Sequence, residues 1–503
     1  MDILQRSDRT DAETYKLCYL ILPADRLTPV QATGRLRAAG HELCLLESVD
    51  GPTSLVEYSF IGFDSEASLR GRQTPNGPTL TLKRAGSEIH LTGSSLDAVR
   101  SLSLELQLPP APPSLPPFHG GLVGYFGYEC AGELEARIPL PEEDALGVPS
   151  LAFEAFASVC AFDHRAQTIV LSTHCRAGES GYPEAMKRLE AHADVLNNAP
   201  QGEGLSGKLD VGELRATRSA DDFCGMVERL KHEIRRGEIF QAVPSRKLVG
   251  PYSGDLFALY RALRVANGAP HMFFFETDDV SIIGSSPERL IEVRGRRVSS
   301  VPIAGTRPRG TDPERDRELE AELLASRKER SEHDMLVDLA RNDLGRVARI
   351  GTVRVAQHAR VMRFRRVQHL VSRVEAELRS DRDALDALAS CFPAGTVSGA
   401  PKIRAMQLIA ELEGECRGPY AGAFGYLDHA GDLDTAICIR TFVASRTQLS
   451  LQAGAGIVHA SDPIAELEEV EAKLAGPLGA LELVPPSTTA TGSVRRGALQ
   501  EVR

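Results

Sequence analysis

Met272-Phe273-Phe274-Phe275-Glu276-Thr277, followed closely by Val280-Ser281-Ile282-Ile283, sets the fold class of this chain. Runs this short and this rich in Val, Ile and Phe read as β-strands. Gln448-Leu449-Ser450-Leu451-Gln452 reads as a third. Helical spacing appears alongside them. Ser219 and Asp222 are placed as a capping box ahead of Phe223, Met226, Val227, Leu230 and Ile234, and Gly237 supplies the stop. Strands mixed with several helices predict an α+β or α/β fold, and no short-period repeat suggests a solenoid or propeller.

At 503 residues, length alone predicts roughly two to four domains and a core large enough for a deep pocket. A net charge of -11 argues against a general nucleic-acid binder, because neutralising phosphates needs a basic surface. The Arg-rich stretch from Arg360 to Arg373 is the local exception, and it reads as a solvated face. Nine cysteines without Cys-x-x-Cys spacing indicate neither a disulfide framework nor a zinc site, and fit reduced thiols in a cytosol. Met1-Asp2-Ile3-Leu4-Gln5-Arg6 lacks a signal-like apolar core, and no apolar run reaches membrane-spanning length. A soluble, cytoplasmic protein is expected, with neither membrane nor nucleic acid as a partner.

Pro109 to Pro117 is extended linker chemistry that interrupts the N-terminal half. Asn197 to Gly212 lacks apolar periodicity, so the main boundary is placed there. This gives an N-terminal region over residues 1–200 and a second region over 214–484. The last stretch, 485–503, is rich in Ser, Thr, Gly and Arg, and is expected to be a disordered tail.

Two acidic segments point to chemistry. In Ser331-Glu332-His333-Asp334-Met335-Leu336, Glu332 shares a helical stripe with Met335, Leu336 and Leu339. A carboxylate on such a stripe needs a cation or a strong donor nearby. In the second, Asp462 can cap a helix with Pro463 at its first position, which puts Glu466, Glu469 and Lys473 on one side and Leu467, Val470 and Leu474 on the other. A solvated face with a Glu469–Lys473 pair is the competing reading of this segment. Three acids without His or Cys suit Mg2+.

Four glycine-bearing loops, around Gly305, Gly395 to Lys402, Gly418 to Gly422 and Gly454 to Gly456, would let backbone N–H groups approach an anion. The second precedes a helical pattern (Ile403, Met406, Leu408, Ile409, Leu412), but it is not a P-loop, since Lys402 is followed by Ile403. Arg440 ends the apolar run Ala436-Ile437-Cys438-Ile439. It either pairs with a structural acid or forks onto a ligand carboxylate.

Taken in order, Gly237 to Gln241, Gly284 to Glu288, Pro302 to Thr306, Glu332 to Asp343, His369 to Val374, Phe392 to Lys402 and Gly454 to Ile457 resemble the anthranilate synthase component I family of chorismate-utilising enzymes. The resemblance is strong from about Asp221 to Leu481 and looser before. It implies an α+β fold, a large β-sandwich flanked by helices, with a central chorismate pocket and Mg2+ held by Glu332, Glu466 and Glu469. Where salicylate and isochorismate synthases carry a water-activating lysine, this chain has Gln241, which implies ammonia as the nucleophile. Where aminodeoxychorismate synthases carry a lysine in Pro-Ile-Lys-Gly-Thr, it has Ala304, which implies attack at ring carbon 2 and a lyase that forms anthranilate. By the same resemblance Glu288 protonates the departing 4-hydroxyl and His369 handles the ring proton. Arg440, Tyr420 and Gly454-Ala455-Gly456 hold the enolpyruvyl carboxylate, and Gly305, Thr306, Thr396 and Lys473 line the pocket.

Gly414-Glu415-Cys416-Arg417-Gly418 has Gly-x-Cys-x-Gly spacing, but no convincing glutaminase nucleophile is read among the nine cysteines, so glutamine-derived ammonia implies a separate glutamine amidotransferase subunit and a hetero-oligomer. Leu45-Leu46-Glu47-Ser48 and Tyr58 to Gly62 match the family's tryptophan feedback segments. With Pro270, His271 and Met272 they imply a tryptophan pocket distant from the chemistry. His271 and Glu57 depart from the usual tyrosine and arginine, as Val470 and Ala472 do from Thr and Asn in the last motif. Weakened feedback is therefore expected. Two rivals remain open: a synthase that stops at 2-amino-2-deoxyisochorismate, and a silent tryptophan-binding protein, which the intact Glu288, Glu332, His369, Glu466 and Glu469 disfavour.

Overall fold

In the computed structural model, described for residues 15–51, 56–108, 111–176, 181–200, 202 and 204–486, the strands expected from sequence form at His271–Glu276, Ser281–Ser286 and Gln448–Gly454. Every pairing between the larger sheet's strands is antiparallel. This decides the class as α+β, since parallel strands joined by helical crossovers would mark α/β. The hydrogen-bonded network takes in 22 strands. One path runs Leu151–Asp163, Tyr58–Arg72, Leu43–Glu47, His271–Glu276, Ser281–Ser286, Thr441–Ala444, Gln448–Gly454 and Ser245–Gly254. A second leaves the other edge of Leu151–Asp163 through Gly121–Phe126, Ala423–Asp428, Leu433–Ile437, Arg289–Arg294, Arg297–Ser300 and Val367–Glu377.

The two paths fold face to face as a sandwich. Phe273 of the first stacks on Phe424 of the second, with centroids 4.3 Å apart and planes at 20°, and Phe275 meets Phe424 edge-on. Phe60, Phe118 and Tyr426 extend the same inner core. Ring pairs of this kind add about 0.5–1.5 kcal/mol beyond their burial. Helices cover the outer faces. Ala220–Arg235, Leu256–Ala266 and Pro463–Leu481 pack on the first layer through Phe223, Leu230, Phe257, Tyr260, Val470 and Leu474. Arg327–Gly345 and Ala384–Cys391 cover the second through Val337, Leu344, Leu385 and Leu388.

The local signals act as read. Ser219 and Asp222 close a reciprocal capping box, Asp462 caps Pro463–Leu481 through the Ile464 and Ala465 N–H groups, and Gly237 takes φ +80 after the Ala220–Arg235 helix. The boundary near 200–214 marks no break in the sheet. Leu43–Glu47 pairs with His271–Glu276, and Leu209–Val211 pairs with Tyr252–Gly254, so both regions contribute to the same layers. The Pro-rich stretch leads into Phe118, fully buried between the layers, and its first two prolines lie outside the described residues. Of the expected tail, all beyond Pro486 lies outside them too.

Candidate active site

A cavity of about 600 Å³ opens where strand ends from both layers meet the Arg327–Gly345 and Pro463–Leu481 helices. Gln241, Glu288, Gly305, Thr306, Glu332, His369, Thr396, Tyr420, Arg440, Gly454, Gly456, Glu469 and Lys473, distant in sequence, all line it. Ala455 is fully buried behind the loop, its N–H bonded to the Pro244 carbonyl.

Glu288 ends the turn after Ser281–Ser286. Burial pushes its carboxyl up to about 7, although Thr396 Oγ1 donates to Oε1 at 3.2 Å and Lys473 opposes the rise. A carboxyl in that state still carries its proton near neutrality and can serve as an acid. His369 projects from Val367–Glu377, with Nδ1 3.2 Å from the Gly305 carbonyl and 3.0 Å from Thr306 Oγ1. Burial, then the nearby Arg440 charge, pulls its pKa down against the Gly305 bond. Because the carbonyl can only accept, the neutral ring holds its proton on Nδ1, which leaves Nε2 as the basic nitrogen.

Arg440 settles one of the two readings left open by sequence. It lies at φ +51 and is largely buried, and burial alone pulls its pKa down. Among the described residues no carboxylate pairs with its guanidinium, which excludes the structural ion pair, and Arg440 lines the cavity. The neighbouring loop is built for close approach. A Cβ on Gly454 would stand 2.6 Å from the Pro244 carbonyl and 3.0 Å from the Tyr420 hydroxyl, and one on Gly456 would stand 2.7 Å from Gln241 Nε2. Only glycine leaves these groups where they are. Lys473 Nζ donates to the Gly454 carbonyl at 2.8 Å and pairs with Glu469 at 2.7 Å. The ion pair offered as the competing reading thus exists, at the wall of the cavity.

The Glu332 stripe differs from expectation. The buried side of its helix carries His333, Val337, Ala340 and Leu344, while Glu332 and Leu336 line the cavity. Leu339 instead meets Gly395, so the stripe is divided between the cavity wall and the packing behind it. Burial and then repulsion from Glu329 raise the Glu332 pKa, with Glu469 adding to it. Burial also raises that of Glu466, against a Ser461 hydrogen bond, with Glu469 again repelling. Glu469 thus repels both Glu332 and Glu466, and three carboxylates offer the oxygen donors that suit Mg2+. Glu469 is half exposed and paired with Lys473, Glu466 is not among the cavity's lining residues, and the three carboxylates do not come within 4.8 Å of one another.

One sequence reading needs correction. Of the expected feedback residues Pro270 alone, with Val49 and Asp50, lines the same cavity as Glu288, so that edge of the expected pocket is not remote from it. The cause is register: Glu47 pairs with Met272, and His271 with Ser286, one strand from Glu288. Glu47 itself is buried, accepting from Tyr260 and from Arg264 at 3.0 and 3.2 Å. His271 is held near 3 by burial and then by Arg289, hence neutral, and Met272 is buried in the outer core. Ser48 lies just beyond the strand end. In the Arg-rich stretch, Arg365 and Arg366 line the cavity, and the Arg365 N–H binds Asp50. Both remain exposed at its mouth, as a solvated face would have them.

A family model described as "chorismate binding enzyme" matches residues 49–479. Anthranilate synthase component 1 from Streptomyces coelicolor is 43% identical over 88% of this chain and 84% of its own length. That from Thermus thermophilus is 42% identical over 92% and 96%. The chain belongs to the chorismate-binding enzyme family, on its anthranilate synthase component 1 branch. The crystal structure of anthranilate synthase component I from Streptococcus pneumoniae superposes with a TM-score of 0.75 at 35% identity, over 84% of this chain and 92% of that one. The menaquinone-specific isochorismate synthase from Escherichia coli, at 19% identity and a TM-score of 0.66 over 93% and 95%, shares the fold.

Proposed function

We propose that this chain converts chorismate and ammonia to anthranilate and pyruvate, as the chorismate-binding component of an anthranilate synthase. The observation that carries the reading is the cavity itself, which gathers Glu288, its carboxyl raised by burial to about 7, with Arg440, His369 and Gln241 around one space. Chorismate is a dianion with a leaving hydroxyl and a ring proton to lose. Arg440, the Gly454 to Gly456 backbone and the Tyr420 hydroxyl bind the enolpyruvyl carboxylate through charge-assisted and N–H donors, worth roughly 1.5–3 kcal/mol for each charged bond. Glu288 gives its proton to the departing 4-hydroxyl. His369 Nε2 takes the ring proton when pyruvate leaves and the ring becomes aromatic.

Glu332, Glu466 and Glu469 would hold Mg2+, which when bound supplies the charge that neutralises the ring carboxylate. Ammonia comes from a glutamine amidotransferase partner, a reading supported by the raised thiols of this chain: burial pushes Cys44, Cys391 and Cys416 up to about 12, far from a glutaminase nucleophile. Among the described residues no helix is long and apolar enough to cross a membrane, and we place the enzyme in the cytoplasm. Tryptophan feedback acts through Glu47, Ser48, Pro270, His271 and Met272, whose strands abut the catalytic cavity.

The test is purified chain with chorismate, Mg2+ and ammonium, followed by anthranilate fluorescence, with glutamine replacing ammonium in a second arm. Ammonium supports turnover and glutamine alone does not. Accumulation of 2-amino-2-deoxyisochorismate without anthranilate, or glutamine-driven turnover by the isolated chain, would overturn the assignment.

A further inference from the structure

Away from the cavity, three side chains from three elements meet in the N-terminal half. His41 follows the Pro29–Ala38 helix, Asp64 lies in the Tyr58–Arg72 strand, and His192 lies on the Gly181–Asn198 helix. His41 Nδ1 is 2.8 Å from Asp64 Oδ1, and His192 Nε2 is 3.1 Å from Asp64 Oδ2. One donor atom from each residue lies within 4.8 Å of the other two, and among the described residues no other set of three His, Cys, Asp or Glu does so.

The backbone is bent to bring this about. Asp64 adopts φ +59, a left-handed conformation that aspartate and asparagine reach more readily than most residues with a side chain. The strand register against Leu151–Asp163 shifts immediately after it, between Ser65 and Ala67. A bulge of this kind re-aims a side chain. Ser158 Oγ donates to Asp64 Oδ2 at 3.0 Å and fixes the carboxylate plane. Burial would raise the Asp64 pKa, but the bonds from His192, His41 and Ser158 outweigh it and hold the carboxyl well below the usual range, so it remains an anion.

We propose that His41, Asp64 and His192 form a second metal site, selective for a nitrogen-preferring transition-metal dication of the Zn2+ class. Two imidazole nitrogens and one carboxylate oxygen are the donor set of three-ligand sites that keep a further position for water. Mg2+ prefers oxygen alone, so the site is chemically distinct from Glu332, Glu466 and Glu469. His192 is nearly buried, whereas the His41 and Asp64 side chains are 21% and 27% exposed, which leaves an entry from solvent. On binding, each neutral ring keeps one proton, moved to its far nitrogen through solvent exchange. For His192 that nitrogen is Nδ1, buried without a partner among the described residues. Metal-bound imidazoles usually donate that proton to an acceptor, and losing such a bond costs about 10- to 100-fold in affinity. The site therefore binds more weakly than a fully supported one.

The test uses the full chain, stripped with chelator and held in excess Mg2+, titrated with Co2+ as a visible probe and then with Zn2+. Wild type takes up one equivalent of Co2+ with the d–d absorption of nitrogen and oxygen ligands, and one equivalent of Zn2+ abolishes that absorption. Asp64→Asn, which suits the left-handed backbone, and the partly exposed His41→Gln each lower Co2+ affinity at least tenfold while circular dichroism shows the fold intact. Absence of Co2+ uptake by folded wild type, or equal uptake by wild type and Asp64→Asn, overturns the proposal and leaves a hydrogen-bonded clamp.

Discussion

Replacing Glu288 by glutamine separates the chemistry of this position from its packing. Gln keeps the size of the side chain and an oxygen to accept from Thr396 Oγ1, but it cannot ionise. In the native chain burial moves the Glu288 carboxyl from its ordinary 4.5 to about 7. At roughly 1.4 kcal/mol per pH unit, this amounts to about 3 kcal/mol. A carboxyl whose native pKa is raised stabilises the fold fully below about 4.5, and the contribution is lost as pH climbs through about 7. Wild type should therefore lose stability relative to Glu288→Gln with rising pH, by about 2 kcal/mol of that total between pH 5.5 and 8.5. Urea unfolding midpoints at the two pH values measure the difference directly. In parallel, wild-type kcat/KM for chorismate with ammonium should fall tenfold per pH unit above about 7, and the variant should lose roughly 10²- to 10⁴-fold with that limb absent. A variant whose stability runs parallel to wild type across this range would refute the buried, proton-bearing carboxyl. Retained turnover would refute its role as the acid.

Arg440→Gln should raise the KM for chorismate about 10- to 150-fold, the equivalent of one charge-assisted bond, without changing Mg2+ affinity; a KM within twofold of wild type in steady-state assays removes Arg440 from the site. Gly456→Ala should fold normally, because the added Cβ meets the mobile end of Gln241, yet ammonia KM should rise as that amide is displaced, and unchanged ammonia kinetics would deny Gln241 its place. Glu469→Gln should weaken Mg2+ binding by calorimetry and nearly abolish turnover, whereas normal activity at low Mg2+ would leave the residue only its ion pair with Lys473. Tryptophan should weaken chorismate binding toward the low end of a roughly 5- to 150-fold range, and Ser48→Phe should abolish the effect; wild type that neither binds tryptophan nor responds to it is feedback-insensitive.

The sequence made local structure legible wherever one residue governs one event. Ser219 with Asp222, and Asp462 with Pro463, marked helix starts that the fold uses, because a cap depends on residues a few positions apart. Strand existence was equally visible in Met272 to Thr277. Pairing was not. Nothing local says that Leu43–Glu47 lies beside His271–Glu276, so the feedback segments were expected to stand apart from a cavity whose rim Pro270 shares. For the same reason Glu332 was read against an apolar stripe of which only Leu336 joins it in the cavity wall. His41, Asp64 and His192 have no motif spacing at all, since a loop after one helix, a strand beside a bulge and a second helix bring them together. The resemblance reached what these patterns could not, because ordered motifs carry the long-range pairings of a whole family.

Arg440 and Glu288 together say what kind of ligand the cavity is shaped for. Leaving a guanidinium in a largely buried space with no carboxylate partner is unfavourable by several kcal/mol, and an apolar residue of similar volume would serve the fold better. Keeping a carboxyl neutral close by, when any scaffold position accepts leucine, is unfavourable in the same sense. The two do not neutralise each other: no ion pair joins them, and the acid turns instead to Thr396 and Lys473. A cation without a counter-ion beside an acid that retains its proton suits a substrate that arrives as an anion and departs with a proton on its leaving oxygen. A simple carboxylate-binding pocket accounts for Arg440 alone, and a water-activating hydrolase site would need a base where Gln241 stands. The pair of features, set in one cavity with the Glu332 and Glu469 oxygens, fits the elimination from an anionic ring proposed above.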